Sequence, residues 1–434
     1  MAADYKKNSL SLTGAVSLGT GVMIGAGIFA LLGQVAELSG ELFPLAFIIG
    51  AVITGFSAYT YVKLSNTFPS AGGIGMYLKK EYGKSTFTAF AALLMAFSMV
   101  INESLVARTF GTYTLQLFDT QNDKFLVPAL GVGLIVLAFI VNISGNKFIE
   151  RSSFAMAVLK VAGLAVLALG GLWASGFAFE KTLPESMPDK SGFSFIAALA
   201  LTILAYKGFT TITNSGDEIK RPHKNVGRAI IIAIAICVVL YYIVAITVSS
   251  SLSIDEIIKA RDYSLAEAAR PTFGKYGVWV TVGVAIIATI SGIIASMFAV
   301  SRMTAMLTKM KLIPHSHLGM SGRIQKHMLV YIAAITILLT ILFDLSRIAS
   351  LGAIFYLIMD IGIHYGLLKK LRDQVDFKPA IVITAIILDA IVLAGFIYTK
   401  AKSDLTIVLV AAGAMLVIYF GEKWFLAKRR DQSD

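Results

Sequence analysis

The sequence predicts an all-α membrane protein with twelve spanning helices, folded as a single domain over residues 1–434. Three observations predict it. The chain is 57% hydrophobic and 15% charged, with a mean hydropathy of +0.77, a balance that soluble domains of this size do not carry. Apolar stretches recur along its whole length, most of them reaching the ~20 residues that a helix needs to cross a bilayer. The connections between them alternate between strongly basic and acidic or balanced, as they do when successive loops lie on opposite sides of a membrane.

The apolar stretches fall at 10–36, 41–66, 86–116, 125–144, 150–173, 191–215, 228–250, 276–306, 328–343, 347–367, 379–399 and 404–426. The first is too long and too glycine-rich for a cleaved leader. The even-numbered connections carry Lys79, Lys80 and Lys84, then Lys220, Arg221, Lys224 and Arg228, then Arg302, Lys309, Lys311, Arg323 and Lys326. Lys6 and Lys7 precede the first span, and the tail is basic too. The odd connections hold Asp119, Asp123 and Lys124, or Glu180, Lys181, Glu185, Asp189 and Lys190. This bias puts both termini in the cytoplasm of a multi-pass cell-membrane protein. Within 251–275, Ser253 followed by Asp255 and Glu256 predicts a short extracellular helix. The net charge of +12 belongs to loops on one side, so lipid headgroups and not nucleic acid are the expected neighbours. The single cysteine, Cys237, excludes an intramolecular disulfide.

Two of these spans are interrupted by composition. The first contains Gly21-Val22-Met23-Ile24-Gly25-Ala26-Gly27-Ile28-Phe29, and each glycine costs a helix about 1 kcal/mol relative to alanine. A break is expected there, and in lipid a broken backbone survives only when buried in protein or lining a cavity. Gly21 and Gly25, taken alone, also form a small-residue helix-packing pair. The sixth span has its own candidate break at Ala205-Tyr206-Lys207-Gly208-Phe209-Thr210. Five spans separate the two, so a first repeat over 10–173 and a second over 191–367 have opposite topology, and 379–426 lies outside them. Paired broken helices in inverted repeats mark the substrate site of secondary transporters. The sequence holds no Cys/His metal cluster, no His-Glu-x-x-His and no phosphate-binding loop. Enzyme chemistry, cofactors, metals and ATP drive are therefore not expected.

GVMIGAGIF in the first span, AYKGF with NSGDEIKRPHKNVGRAI in and after the sixth, and SRMTAMLTKMKLIP after the eighth resemble the amino acid–polyamine–organocation superfamily. The resemblance covers nearly the whole chain. It implies the five-plus-five inverted repeat of LeuT-like proteins, with helices 1 and 6 broken and two added C-terminal helices, and amino acid transport by alternating access. Carried over, it assigns the substrate carboxylate to the amides of Ala26 and Gly27, beside Gly25. It assigns the ammonium to the carbonyls of Met23, Ile24, Leu204 and Ala205. Relatives often place a small hydroxyl residue at Ala26 and a gating aromatic at Leu204; this chain has neither.

Ionisable groups inside spans are functional candidates. Lys160 lies near the centre of span 5, about ten residues or ~15 Å from either end, beyond snorkelling reach. The resemblance gives proton-coupled members a lysine at this point. Expected partners are the Gly21–Val22 backbone and a hydroxyl of span 8, Ser291 or Thr289. A structural pin between spans 1, 5 and 8 is the alternative. Lys207 and Gly208 lie in the span 6 break; Glu103 in span 3 and Asp360 in span 10 are the candidate acids to face Lys207. Pairing of Lys207 with one of them is the expected arrangement, because a lone buried charge costs more than a paired one. A free Lys207 would favour an acidic ligand, and two free acids a cationic one. His364, one turn after Asp360, reads either as a histidine at the span's end or as part of a proton path. Asp389 in span 11 reads as a packing or oligomer contact. The predicted function is secondary active amino acid transport with proton and amino acid as partners; an exchanger of the same fold with Lys160 structural, or a carrier of another small organic ion, is the alternative. A channel or receptor finds no support, for want of a filter, a charge ring or an added domain.

Overall fold

A computed structural model describes residues 8–70, 72–118, 123–144, 146–174, 176, 192–313 and 324–430, without the side chains of Ala26, 146–154, Ala174 and 429–430. Lys6, Lys7, Asp119, Arg323 and the charges between Glu180 and Lys190 lie outside the described residues. In chain order the α-helices are α1 (Leu12–Ser39), α2 (Phe43–Thr67), α3 (Gly73–Tyr82), α4 (Thr86–Leu115), α5 (Leu126–Ser144), α6 (Asn146–Ala174), α7 (Gly192–Tyr206), α8 (Thr210–Thr213), α9 (Pro222–Ser251), α10 (Ile254–Lys259), α11 (Ser264–Lys309), α12 (Ile324–Leu342), α13 (Leu345–Lys370), α14 (Pro379–Ser403) and α15 (Leu405–Arg430). Among the described residues there is no strand, only an isolated parallel bridge between Leu10 and Ile219. Eleven stretches are long and apolar enough to cross a membrane, one of them running from Gly27 to Thr67 through the end of α1 and all of α2; a shorter apolar stretch, Leu12–Gly25, precedes it.

Local chemistry sets the ends. Ser11 and Ser85 accept hydrogen bonds from the amides of Gly14 and Thr88 and start α1 and α4. Pro44, Pro222 and Pro379 stand in the first turns of α2, α9 and α14, where no amide is missed. Gly40, at φ +60°, stops α1, a backbone region that costs glycine nothing. Ser253 and Glu256 make a reciprocal capping box on α10, the short helix expected in that connection. That contact holds the Glu256 carboxyl below its ordinary range, because the Ser253 amide and hydroxyl donate to it. In α11, Pro271 and Gly274 (φ +58°) kink the helix before its long apolar run. The amphipathic α3 lies in a connection that the sequence treats only as basic.

Polarity is arranged for lipid. Val136, Ile140, Val166, Leu169, Leu416 and Val417 face outward, while Glu103, Lys160, Lys207, Asp360, His364 and Asp389 are buried. The protein is a multi-pass membrane protein. At its centre α1 packs against α6, α7, α9 and α11.

The expected break in the first span is corrected here. Helix α1 is continuous from Leu12 to Ser39, through all three glycines. They serve close approach instead. A Cβ on Gly25 would come within 3.2 Å of Gly292 Cα, and one on Gly292 within 3.2 Å of Gly25 Cα, so α1 and α11 meet backbone to backbone. A Cβ on Gly27 would sit 2.7 Å from the Ala205 carbonyl oxygen. Packing of this kind compensates the propensity cost that predicts a break. The sixth span does change: α7 gives way to a 3₁₀ turn at Lys207–Phe209 before α8 resumes.

Both ends of α1 are tied down. Leu10 N–H donates to Glu218 O and Lys220 N–H to Leu10 O, each over 2.8 Å. Glu218 in turn receives both terminal nitrogens of Arg302, so the motif after span 6 and the motif after span 8 close on each other. At the other end Glu37 accepts from Arg261 at 2.5 Å and Gln34 donates to Asp262 at 2.7 Å. Gly33 lies against this second tie, where an added Cβ would meet Arg261 O at 2.2 Å and Arg261 Cα at 2.4 Å. Gly33→Ala is therefore expected to destabilise the folded protein by about 1–3 kcal/mol through overpacking. A lower melting temperature of the purified variant checks this; an unchanged one would show that the segment moves aside freely.

Candidate functional site

Lys160 on α6 is 1% exposed and reaches α1 and α11 together. Its Nζ donates to Gly21 O at 2.7 Å and to Ser291 Oγ at 2.8 Å. Ser291 passes a hydrogen bond on to Ala288 O. Thr289, the other hydroxyl considered, bonds back into its own helix at Ala285 and Ile286. Val22 is buried beside this contact, with no side-chain group to offer. Among the described residues no carboxylate stands within ion-pair distance of Lys160. The ammonium rests on dipoles of two neighbouring helices, and loss of its proton would remove charge from the junction of α1, α6 and α11.

About one turn along α1, its carbonyls face the end of α7. Met23, Ile24, Leu204 and Ala205 are all buried. Gly208 presses on α1 so closely that a Cβ there would lie 2.7 Å from Met23 N. The hydroxyl of Tyr241 on α9 donates to Met23 O at 2.6 Å and stands 3.5 Å from Ala205 O. Two of the four carbonyls that the family resemblance assigns to an ammonium thus converge on one donor. Sequence reasoning missed Tyr241; a hydroxyl in the middle of the apolar run 228–250 is the signal that points to it. The amides of Ala26 and Gly27, expected to be free for a carboxylate, lie within the continuous helix, where each amide meets the carbonyl four residues back. The carboxylate assignment to a helix break at those amides is not supported by this geometry.

The expected pairing of Lys207 with Glu103 or Asp360 does not form. Lys207 Nζ donates to Ser98 O at 2.8 Å and Ser98 Oγ at 2.6 Å, and lies 5.5 Å from the ring centroid of Tyr356. Glu103 accepts from Ser296 at 3.2 Å and Thr336 at 3.1 Å. Asp360 accepts from Ser57 at 2.6 Å and from Tyr61. Each charge has found hydroxyls on a different helix, a solution that apolar spans rich in Ser, Thr and Tyr allow. His364 is not at a solvated helix end: it is fully buried beside Asp360, and Asp389 joins it from α14.

Residues 10–420 match the amino acid permease family. The chain is 30% identical to the inner membrane transport protein YbaT of Escherichia coli over 90% of each chain. It is 30% identical to an uncharacterized protein of Methanocaldococcus jannaschii, over 88% of this chain and 87% of the relative. It is 24% identical to the serine/threonine exchanger SteT of Bacillus subtilis, over 96% and 97%. With a match over nearly its whole length, the chain belongs to the amino acid permease family of the amino acid–polyamine–organocation superfamily and is a transport protein, not an enzyme.

Proposed function

We propose that this protein is a secondary active amino acid transporter that couples uptake to a proton carried by Lys160. The observation that carries this reading is the Lys160 contact: a buried ammonium without a carboxylate partner, bonded to Gly21 O and Ser291 Oγ at the junction of three helices. An ammonium held by neutral oxygens on two neighbouring helices suits a group that takes up and releases a proton during a cycle. Protonated, it holds α1 to α6 and α11 through charge-assisted hydrogen bonds; deprotonated, it keeps N–H donors but loses the charge, and its hold on α1 weakens. The ties at the two ends of α1 then open in turn, with the amino group of the substrate on the Met23 and Ala205 carbonyls. The inverted repeat, the cytoplasmic termini and a cell-membrane location belong to the same reading. The relative named as a serine/threonine exchanger supports amino acids as the substrate class.

Side-chain preference follows from the charges near the 3₁₀ turn. Glu103 and Asp360 are each occupied by two hydroxyls on other helices, and Lys207, itself held by Ser98, is the ionic group in the turn and gives it a positive field. We infer a preference for neutral and acidic amino acids over cationic ones.

In proteoliposomes, Lys160→Ala is expected to lose accumulation driven by an inward proton gradient, by more than about tenfold if the coupling charge supplies the ~1.4 kcal/mol or more that a factor of ten requires. Counterflow exchange should survive; uphill uptake at the original level in this variant would end the assignment. In a thermal-shift screen of the twenty amino acids, neutral or acidic ones are expected to raise the melting temperature and arginine and lysine to leave it unchanged. Lys207→Met should narrow the gap between acidic and cationic ligands, and an unaltered ranking would remove Lys207 from selectivity.

A further inference from the structure

A second cluster of ionisable groups lies apart from Lys160, where α2, α13 and α14 meet. Asp360, His364 and Asp389 are each 0% exposed. His364 Nε2 stands 3.6 Å from Asp360 Oδ2 and 3.3 Å from Asp389 Oδ2. The two carboxyls differ in their surroundings. Asp360 receives the hydroxyls of Ser57 and Tyr61, both from α2, and is furnished to be a carboxylate. Among the described residues Asp389 has no well-formed hydrogen bond at either oxygen, although it is wholly buried and aimed at the imidazole. A bare carboxylate in that position has neither solvent nor donor to hold its charge.

We propose that Asp360, His364 and Asp389 form a proton-binding site whose exchangeable proton sits on the Asp389 carboxyl, beside the imidazole of His364. With His364 as imidazolium, Asp360 ionised and Asp389 protonated, the cluster is neutral. When the Asp389 proton leaves, one negative charge remains inside the membrane, beside a cation that can turn toward either acid. Other ionisable groups surround the cluster from the neighbouring helices. Tyr61 comes from α2 and Tyr356 from α13. Glu81 comes from α3, buried and packed against Gly366, where an added Cβ would fall 2.3 Å from Glu81 Oε2. Lys207 lies beyond Tyr356.

The cluster is placed to influence the 3₁₀ turn. The Tyr61 ring meets the Phe209 ring edge-on at 5.3 Å, and Phe209 closes that turn. Tyr356, one turn before Asp360, carries Lys207 over its face. Protonation at Asp389 redistributes His364 between the two acids, and Asp360 is the acid that holds Tyr61. A divalent metal fits the three ligand atoms less well. A metal-bound imidazole normally donates its other ring nitrogen to an acceptor, and His364 Nδ1 has no partner.

The test is infrared difference spectroscopy of the full-length protein in lipid nanodiscs, between acidic and alkaline buffer. This readout does not depend on Lys160 or on transport. The wild type is expected to show a protonated-carboxyl band that disappears reversibly on alkalisation. Asp389→Asn should lack it, Glu81→Gln and Lys160→Ala should keep it, and Tyr61→Phe should keep it but displace its frequency. If Asp389→Asn does not fold, the wild-type titration and the Tyr61→Phe displacement decide. No pH-responsive carboxyl band in the wild type would overturn the proposal. So would a band that folded Asp389→Asn retains, or that Glu81→Gln removes. Stoichiometric Zn²⁺ binding by calorimetry, abolished in His364→Gln, would also overturn it and assign the cluster to a metal.

Discussion

How near one backbone can come to another governs the centre of this protein. Helix α1 is reached by a lysine from α6, by the glycine face of α11, by a tyrosine from α9 and by the turn after α7. Three of these contacts depend on the absence of side chains at Gly25, Gly27, Gly208 or Gly292, and the lysine takes a backbone carbonyl. In water such glycines would loosen a helix. In lipid an opened backbone has nowhere to put its polar groups, while closely packed helices gain dispersion contacts along their length. The helix stays whole, and its glycines become the surfaces on which the site is assembled.

The buried charges obey a second constraint. Lys160, Lys207 and Glu103 each find two oxygen partners, none of them an opposite charge, and Asp360 has His364 beside its two hydroxyls. Hydroxyls and carbonyls partly replace hydration without fixing a partner, so a charge held this way can be gained or lost with small rearrangement. Strong ion pairs stand at the ends of α1, where Arg302 meets Glu218 and Arg261 meets Glu37. Rigid contacts at the ends and adjustable ones at the middle suit the proposed cycle, in which α1 is released from one end at a time.

Much of this was legible in the chain. Long apolar runs with alternating loop charge announce a polytopic helical protein, because hydrocarbon admits few other solutions. Lys160 was identifiable from its distance to either end of its span; the family resemblance pointed to the Gly21–Val22 backbone and to Ser291 or Thr289, and the structure selects Gly21 and Ser291. The short helix at Ile254–Lys259 follows from Ser253 and Glu256. Other readings failed for a common reason. Propensity treats three glycines as a break, and charge treats Lys207, Glu103 and Asp360 as one network; both are local or pairwise rules applied where packing chooses. Tyr241 and Asp389 were undervalued because neither stands out from its own span.

By itself the sequence determined the class of fold and the family, since those depend on composition, on the length of apolar runs and on local motifs. Only the tertiary structure decided which of the ionisable residues share a site. Rotation of each helix about its axis turns Asp389 toward His364, Lys207 toward Ser98 and Tyr241 toward Met23. Spans that are apolar on all sides carry almost no signal for that rotation, because lipid and protein interior are nearly the same solvent. It is set by the few places where glycines and hydroxyls on different helices meet.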